Sequence, residues 1–204
     1  HNYDAPKKII QGFTAKDINI TWDVVHEGGK GGNHKFSTYS QDDWADKYDV
    51  VVHNECFAKM TDDAFMTKVV QDHLESGIGV IMVHCAMHTF RDAKEGTEAW
   101  CELIGLKSKR HEHQAEYLVE NIATEHPIMQ GFPQAWTAPK DELYIVEKEF
   151  PGMTPLARAY GEGSKKFSTC IWTNEIGKCK VFGITFGHND STMETKEFQG
   201  VFNR

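Results

Sequence analysis

Two continuous apolar segments constrain the fold of this chain more than any other feature. Residues 48–53 (YDVVVH) and 78–85 (IGVIMVHC) have the composition of parallel strands that are buried on both faces. Between them, Asp62 and its neighbours provide a helix N-cap and first-turn carboxylates, and Gly77 provides a helix end. The sequence therefore predicts a unit of strand, helix and parallel strand.

The rest of the chain predicts an α/β protein with a β-rich second half. Helices are expected over residues 4–16 and 97–104, and the alternation of apolar and polar residues over 18–24 predicts a strand. Residues 28–32 (GGKGG) predict a surface loop. Five further segments predict short strands: QAEYLVE, ELYIVEK, TPLARAY, STCIWT and KVFGITF. Residues 174–178 predict a hairpin turn.

Composition excludes several classes of function. The chain has 204 residues, 22 basic and 30 acidic side chains and a net charge of −8, so it lacks the positive field that a nucleic acid partner requires. No segment approaches the roughly 18–20 apolar residues of a membrane span. Five cysteines without a CxxC pair indicate reduced thiols. We expect one domain over residues 1–204 and a small-molecule partner.

Polar residues with histidines end three of the predicted strands. They are His53-Asn54-Glu55, His84-Cys85 and His188-Asn189-Asp190. Ligands of open α/β sheets bind at the carboxyl ends of the strands, so these residues are the first candidates for a site. A hydrogen-bonded histidine at the edge of a sheet is the alternative for each of them taken singly.

His84 falls at a strand-to-helix turn, which is the position of a nucleophile elbow. An imidazole at that place can act as an acid, a base or a metal ligand. Cys85 is the rival nucleophile, or else a buried structural thiol. Two pairs also have metal-ligand spacing, His84 with His88 and His111 with His113. The residues Asp141 and Glu142 indicate either a solvated turn or a carboxylate that orients a histidine.

Taken together, these segments resemble the ThuA (trehalose utilisation) family, whose fold is similar to class I glutamine amidotransferases. The matching pieces cover residues 17–190 and are YDVVVHNE, GIGVIMVHCA, LIG with RHEH, EHPIMQGFP, DELY and IWTNEIGKCKVFGITFGHND. The resemblance implies a flavodoxin-like, amidotransferase-like fold with a largely parallel sheet, flanking helices and a β-rich C-terminal half. It also implies a family strand before residue 1, which the sequence is expected to lack.

This chain differs from class I amidotransferases at the residues that carry out their reaction. A class I amidotransferase has cysteine at the elbow, where this chain has His84, and a later histidine and glutamate, where this chain has His188 and Asp190. Without a thiolate at the elbow, glutamine hydrolysis loses its nucleophile. The expected catalytic residues are His84, His188, Asp190 and Glu142, which suit proton transfer.

The family name implies carbohydrate metabolism and a sugar as substrate. A 3-keto glycoside is one class of sugar that this substrate can belong to. Substrate-binding residues are expected to be His1, His53, Glu55 and His113. Two other functions stay open: a non-catalytic carbohydrate-binding or regulatory module, and a hydrolase with a divalent metal held by His84 and His188. A soluble protein of the bacterial cytoplasm or periplasm is expected, with a homo-oligomer as one option.

Overall fold

The computed structural model describes residues 4–14, 19–27, 32–93 and 96–204. Its strands and helices are β1 (Val50–His53), β2 (Gly79–Val83), β3 (Leu106–His111), β4 (Ala115–Asn121), β5 (Ala135–Asp141), β6 (Tyr144–Glu149), β7 (Met153–Gly161), β8 (Lys166–Ile176), β9 (Cys179–Ile184), α1 (Asp4–Phe13), α2 (Asp63–Ser76), α3 (Gly96–Ile104), α4 (Asp190–Met193) and α5 (Lys196–Phe202). Short 3₁₀ turns occur at Thr38–Ser40, Ala45–Lys47, His84–His88 and Pro127–Met129.

A mixed seven-stranded sheet forms the centre of the fold, with the order β1-β2-β9-β8-β7-β4-β5. The pairs β1–β2 and β2–β9 are parallel, whereas β9–β8, β8–β7, β7–β4 and β4–β5 are antiparallel. The prediction of a largely parallel sheet is therefore wrong for the second half of the chain. Strands joined by a short turn must run antiparallel, and Gly177 and Lys178 alone connect β8 to β9.

The predicted unit of strand, helix and parallel strand is confirmed at β1, α2 and β2. The Asp62 carboxylate accepts a hydrogen bond from the backbone N–H of Phe65 at 3.0 Å, which caps the start of α2. Gly77 ends the helix with a left-handed backbone, φ 69°. Because β1 and β2 are parallel neighbours, their carboxyl ends lie at the same edge of the sheet.

Some predictions of local structure differ from the observed one. Residues 19–27 form no strand, although residues 18–24 alternate in polarity, because no described segment pairs with them. Ile18 and residues 28–31 lie outside the described residues. Strands β3 and β5 were not expected, since LKSKRH is polar and AWTAPKD contains a proline. Pro139 fits the sheet because β5 is an edge strand.

Apolar side chains cover both faces of the sheet. One core packs α2 and α3 against the sheet and includes Met66, Val69 and Trp100. The other packs α1 and α5 against the opposite face and includes Ile10 and Phe198. The two layers leave the carboxyl edge of β2 and β9 as the place where polar residues gather. Among the described helices, none is long and apolar enough to span a membrane.

Candidate active site

Three side chains from separate parts of the chain meet at the carboxyl edge of β2 and β9: His84, Glu142 and His188. His84 Nε2 lies 3.2 Å from His188 Nδ1 and 3.5 Å from Glu142 Oε2. His188 Nδ1 lies 3.3 Å from the same carboxylate oxygen. The structure thus brings together three of the four residues that the sequence predicts to be catalytic.

The chain reaches this arrangement through turns that follow directly after strands. His84 is the first residue after β2 and has a positive φ of 46°, which is unusual for a residue with a side chain. His188 follows β9 and Gly187, whose φ is 122°. Glu142 lies in the two-residue link between β5 and β6. The strained backbone at His84 is typical of functional turns.

A backbone carbonyl sets the tautomer of His84. His84 Nδ1 lies 2.7 Å from the carbonyl oxygen of Thr185, so Nδ1 carries a proton and donates it there. In the neutral ring, the lone pair is therefore on Nε2, which faces the other two side chains. Burial lowers the pKa of His84 to about 4, which favours this neutral form.

The three side chains differ in their access to solvent. The exposed fraction is 0% for His84, 10% for Glu142 and 27% for His188. A ligand that approaches from solvent therefore reaches His188 before the other two. His84 and Glu142 lie behind it, where the low dielectric strengthens their interactions with its ring.

Asp141 fixes the backbone on both sides of the site. This buried carboxylate accepts hydrogen bonds from the backbone N–H groups of Glu142 at 2.8 Å, Gly187 at 3.1 Å and His188 at 3.2 Å. Burial raises the pKa of Asp141, although these donors oppose the rise. One side chain thus ties the β5–β6 link to the segment that carries His188.

Two further residues contact the Glu142 carboxylate. His111 Nε2 lies 3.6 Å from Oε2, and the Gln114 amide donates to Oε1 at 3.1 Å. Of the predicted pair His111 and His113, the structure brings only His111 to the site. His113 is exposed just beyond the end of β3, so the two histidines do not share a strand face.

Tyr144 forms the aromatic wall of the site and was not singled out from the sequence. Its ring stacks on His88 at a centroid distance of 4.2 Å, and it also contacts the rings of His84 and His111. His88 Nε2 lies 3.2 Å from the Ser108 hydroxyl, away from the predicted metal pairing with His84. The aromatic residue in DELY was the only sequence signal for this wall.

The other predicted site residues that the structure describes lie elsewhere. Asp190 is exposed at the first position of α4, and the structure does not bring it to His84 and His188. His1 lies outside the described residues. Asp190 was expected in the cluster because it follows His188 by two positions, but the start of a helix there leaves it in solvent.

His53 and Glu55 belong to a second, buried network. His53 Nδ1 lies 2.7 Å from Glu55 Oε1, and His53 Nε2 lies 2.9 Å from His73 Nε2. His73 Nδ1 donates to the carbonyl of Val69 at 2.6 Å, so Nε2 of a neutral His73 must accept from His53. Burial lowers the pKa of His73 to about 3. The Nε2 atom of His53 therefore donates to His73, and its Nδ1 atom faces the Glu55 carboxylate.

The sequence model of the ThuA family, described as trehalose utilisation, matches residues 8–204. The chain belongs to the ThuA family. A search of the curated proteins finds no match to the sequence.

Solved structures resemble this ThuA-family chain in fold. A ThuA-like protein from Parabacteroides merdae ATCC 43184 is 18% identical with a TM-score of 0.68, and the match covers 100% of this chain and 84% of that one. A ThuA-like protein from Bacteroides uniformis ATCC 8492 is 16% identical with a TM-score of 0.61, covering 80% and 69%. A cytoplasmic protein from Salmonella typhimurium LT2 is 13% identical with a TM-score of 0.62, covering 100% and 85%. At these identities the likeness shows the fold alone.

In this ThuA-family chain, the residue after the elbow is not an activated nucleophile. The Cys85 thiol has a raised pKa, because it is hydrogen-bonded to Cys56 and partly buried. A thiol that stays protonated does not attack an amide. The chemistry at this edge of the sheet therefore depends on the imidazoles and the carboxylate.

Proposed function

We propose that this ThuA-family protein transfers protons to and from a carbonyl-bearing sugar, with His188 as the residue that contacts the substrate. The observation that carries the proposal is the convergence of His84 Nε2 and Glu142 Oε2 on His188 Nδ1, at 3.2 and 3.3 Å. Both atoms accept hydrogen bonds, so a proton on Nδ1 of His188 is stabilised. The lone pair of the neutral ring is then on Nε2, and this atom acts as the base.

The Glu142 carboxylate is placed to stabilise the charge that forms on His188. When His188 takes a proton from the substrate it becomes an imidazolium, and a carboxylate oxygen 3.3 Å from Nδ1 stabilises the new positive charge. His84 remains neutral because it is buried, so it does not repel the imidazolium. In this account His84 and Glu142 are positioning residues, and His188 is the catalytic residue.

A 3-keto glycoside is the substrate that we propose from the family's role in trehalose utilisation. Its carbonyl acidifies the neighbouring C–H bond. Removal of that proton by His188 gives an enolate. The proton of the hydroxyl on the same carbon passes to the former carbonyl oxygen, and protonation of the former carbonyl carbon completes an isomerisation. When the proton leaves from C2, the enolate can instead expel the glycosidic oxygen at C1, which takes up a proton.

The test is turnover of a panel of ordinary and 3-keto glycosides, followed by NMR. The wild-type protein is expected to convert a 3-keto glycoside and to leave ordinary glycosides unchanged. His188→Ala should lower the rate by about 10²-fold or more, which is the usual range for loss of a general base. His113→Ala is the matched control, since His113 is exposed outside the cluster. Full activity of His188→Ala, or conversion of no keto sugar, would contradict the proposal.

A metal-dependent hydrolase is the second candidate, and one observation favours it. A ligand atom from each of His84, Glu142 and His188 lies within 4.8 Å of the others, which is a spacing that one divalent ion can bridge. Elemental analysis of protein purified without chelator tests this candidate. One equivalent of zinc or another divalent ion, together with loss of activity on its removal, would favour hydrolysis by bound water. Full activity of metal-stripped protein favours proton transfer by His188.

A further inference from the structure

Cys56 and Cys85 occupy equivalent places beyond the parallel strands β1 and β2. In the register of these strands, His53 is paired with Met82. Cys56 follows His53 by three positions, and Cys85 follows Met82 by three positions. Both cysteines lie beyond the ends of the paired strands, and their thiols are in hydrogen-bonding contact with each other.

Hydrogen bonds hold the two segments that follow the cysteines against each other. The N–H of Phe90 donates to the carbonyl of Phe57 at 3.1 Å, and the N–H of Asp92 donates to the carbonyl of Ala58 at 2.9 Å. The hydroxyl oxygen of Thr89 also accepts from the N–H of Phe57 at 3.3 Å. These hydrogen bonds hold the segment after Cys56 against the segment after Cys85, so the two thiols stay close to each other.

These two cysteines are also the accessible ones. Cys56 and Cys85 are partly exposed, whereas the remaining three, Cys101, Cys170 and Cys179, are buried. A small oxidant can reach the first pair without any opening of the core. We propose that Cys56 and Cys85 form an oxidisable pair that a hydroperoxide converts into an intrachain disulfide.

The chemistry assigns a different part to each sulfur. The Cys56 thiolate attacks the peroxide and the O–O bond breaks, which gives a sulfenic acid on Cys56, and the departing oxygen takes a proton from solvent and leaves as an alcohol or water. The sulfur of Cys85 then attacks the Cys56 sulfur. The S–O bond breaks, the hydroxyl leaves as water with the proton of Cys85, and the S–S bond forms. The two sulfurs supply the two electrons that reduce the peroxide.

The surroundings support Cys56 as the attacking sulfur. The contact with the Cys85 thiol, the backbone N–H of Ala58 and the charge of Arg91 all lower the pKa of Cys56, and Ala58 and Arg91 have no such effect on Cys85. Cys85 contacts the Cys56 sulfur and is therefore placed to resolve the sulfenic acid. This assignment does not depend on the proposed sugar reaction.

Peptide mapping of the full chain after treatment with hydrogen peroxide tests the proposal. Free thiols are blocked with iodoacetamide, and the protein is digested without reductant. A linked peptide pair that contains Cys56 and Cys85 and separates on reduction is the expected result. Cys101, Cys170 and Cys179 should not be oxidised by the peroxide, so they should still react with iodoacetamide when the treated protein is denatured. They are therefore internal controls.

Two variants test the order of the steps. In Cys85→Ser, peroxide should leave a sulfenic acid on Cys56 that dimedone traps, because the resolving sulfur is gone. In Cys56→Ser, trapping at Cys85 should be at least about tenfold slower. Equal trapping in the two variants would overturn the assignment of the attacking sulfur. If peroxide links neither cysteine to the other in the wild-type protein, or links only cysteines of different chains, the proposed pair is wrong.

Discussion

His84 Nδ1 lies 2.7 Å from the carbonyl oxygen of Thr185, which joins the end of β2 to the end of β9. This one hydrogen bond fixes both the orientation and the tautomer of the ring. It turns Nε2 toward Glu142 and His188, so the neutral imidazole presents a lone pair to the rest of the cluster.

Glu142→Gln tests the contribution of the carboxylate. An amide keeps the shape but cannot neutralise an imidazolium on His188, so kcat on a converted 3-keto glycoside should fall by about 10²-fold while the fold is retained. Steady-state kinetics and thermal unfolding measure the two effects. An unchanged kcat would mean that the charge of Glu142 has no part in the reaction.

Asp141→Asn tests the buried carboxylate that holds the site together. One of its oxygens becomes an amide nitrogen that cannot accept from the N–H of Gly187 or His188, which leaves a buried donor without its partner. We expect a loss of about 1–3 kcal/mol in the free energy of unfolding. The kcat should also fall, since His188 and Glu142 lose their common anchor. Denaturant unfolding and kinetics check this, and a variant as stable as the wild type would contradict it.

The buried His73 makes stability depend on pH. Its pKa is lowered from 6.5 to about 3 by burial, so below pH 6.5 the unfolded chain takes up a proton that the folded chain does not. The free energy of unfolding should therefore decrease as the pH falls, by up to about 1.4 kcal/mol per pH unit from this residue. Urea unfolding between pH 7 and 5 measures the slope. His73→Gln should reduce the slope, and an unchanged slope would show that His73 is not the cause.

Gly183→Ala tests the packing of the central sheet. A Cβ at Gly183 would lie 2.1 Å from Cζ2 of Trp172, a fully buried residue whose indole N–H donates to the carbonyl of Ile104 at 2.7 Å. The ring cannot move without breaking that bond, so we expect a loss of about 3 kcal/mol in the free energy of unfolding. Gly12→Ala is the control. It has open space in α1 and should be neutral or slightly stabilising.

The elements that could be predicted are those whose signal is local. The apolar runs, the cap at Asp62 and the turn at Gly177 define β1, α2, β2 and the β8–β9 hairpin from the sequence alone. Strands β3 and β5 are polar or contain proline, and their strand character depends on neighbours that are distant in sequence. The antiparallel pairing of β8 with β7, of β7 with β4 and of β4 with β5 likewise depends on which strands lie side by side in the sheet.

The candidate site could likewise be predicted only in part from the sequence. Three strand ends with histidines pointed to one edge of the sheet, and the structure brings His84 and His188 together there. Asp190 is predicted because class I amidotransferases have glutamate two residues after the histidine, but it stays in solvent. Glu142, also predicted, reaches the site from a link 46 residues before His188. The anchoring by Asp141 and the aromatic wall of Tyr144 depend on tertiary contacts, which residue types and spacing do not encode.

Exchange of solvent deuterium into the substrate tests the central claim most directly. In D₂O, metal-stripped wild-type protein should place deuterium on the carbon next to the carbonyl of a 3-keto glycoside, as observed by NMR. The exchange rate in His188→Ala should be lower by about 10²-fold or more, with His113→Ala at the wild-type rate. Exchange by His188→Ala at the wild-type rate would contradict the account.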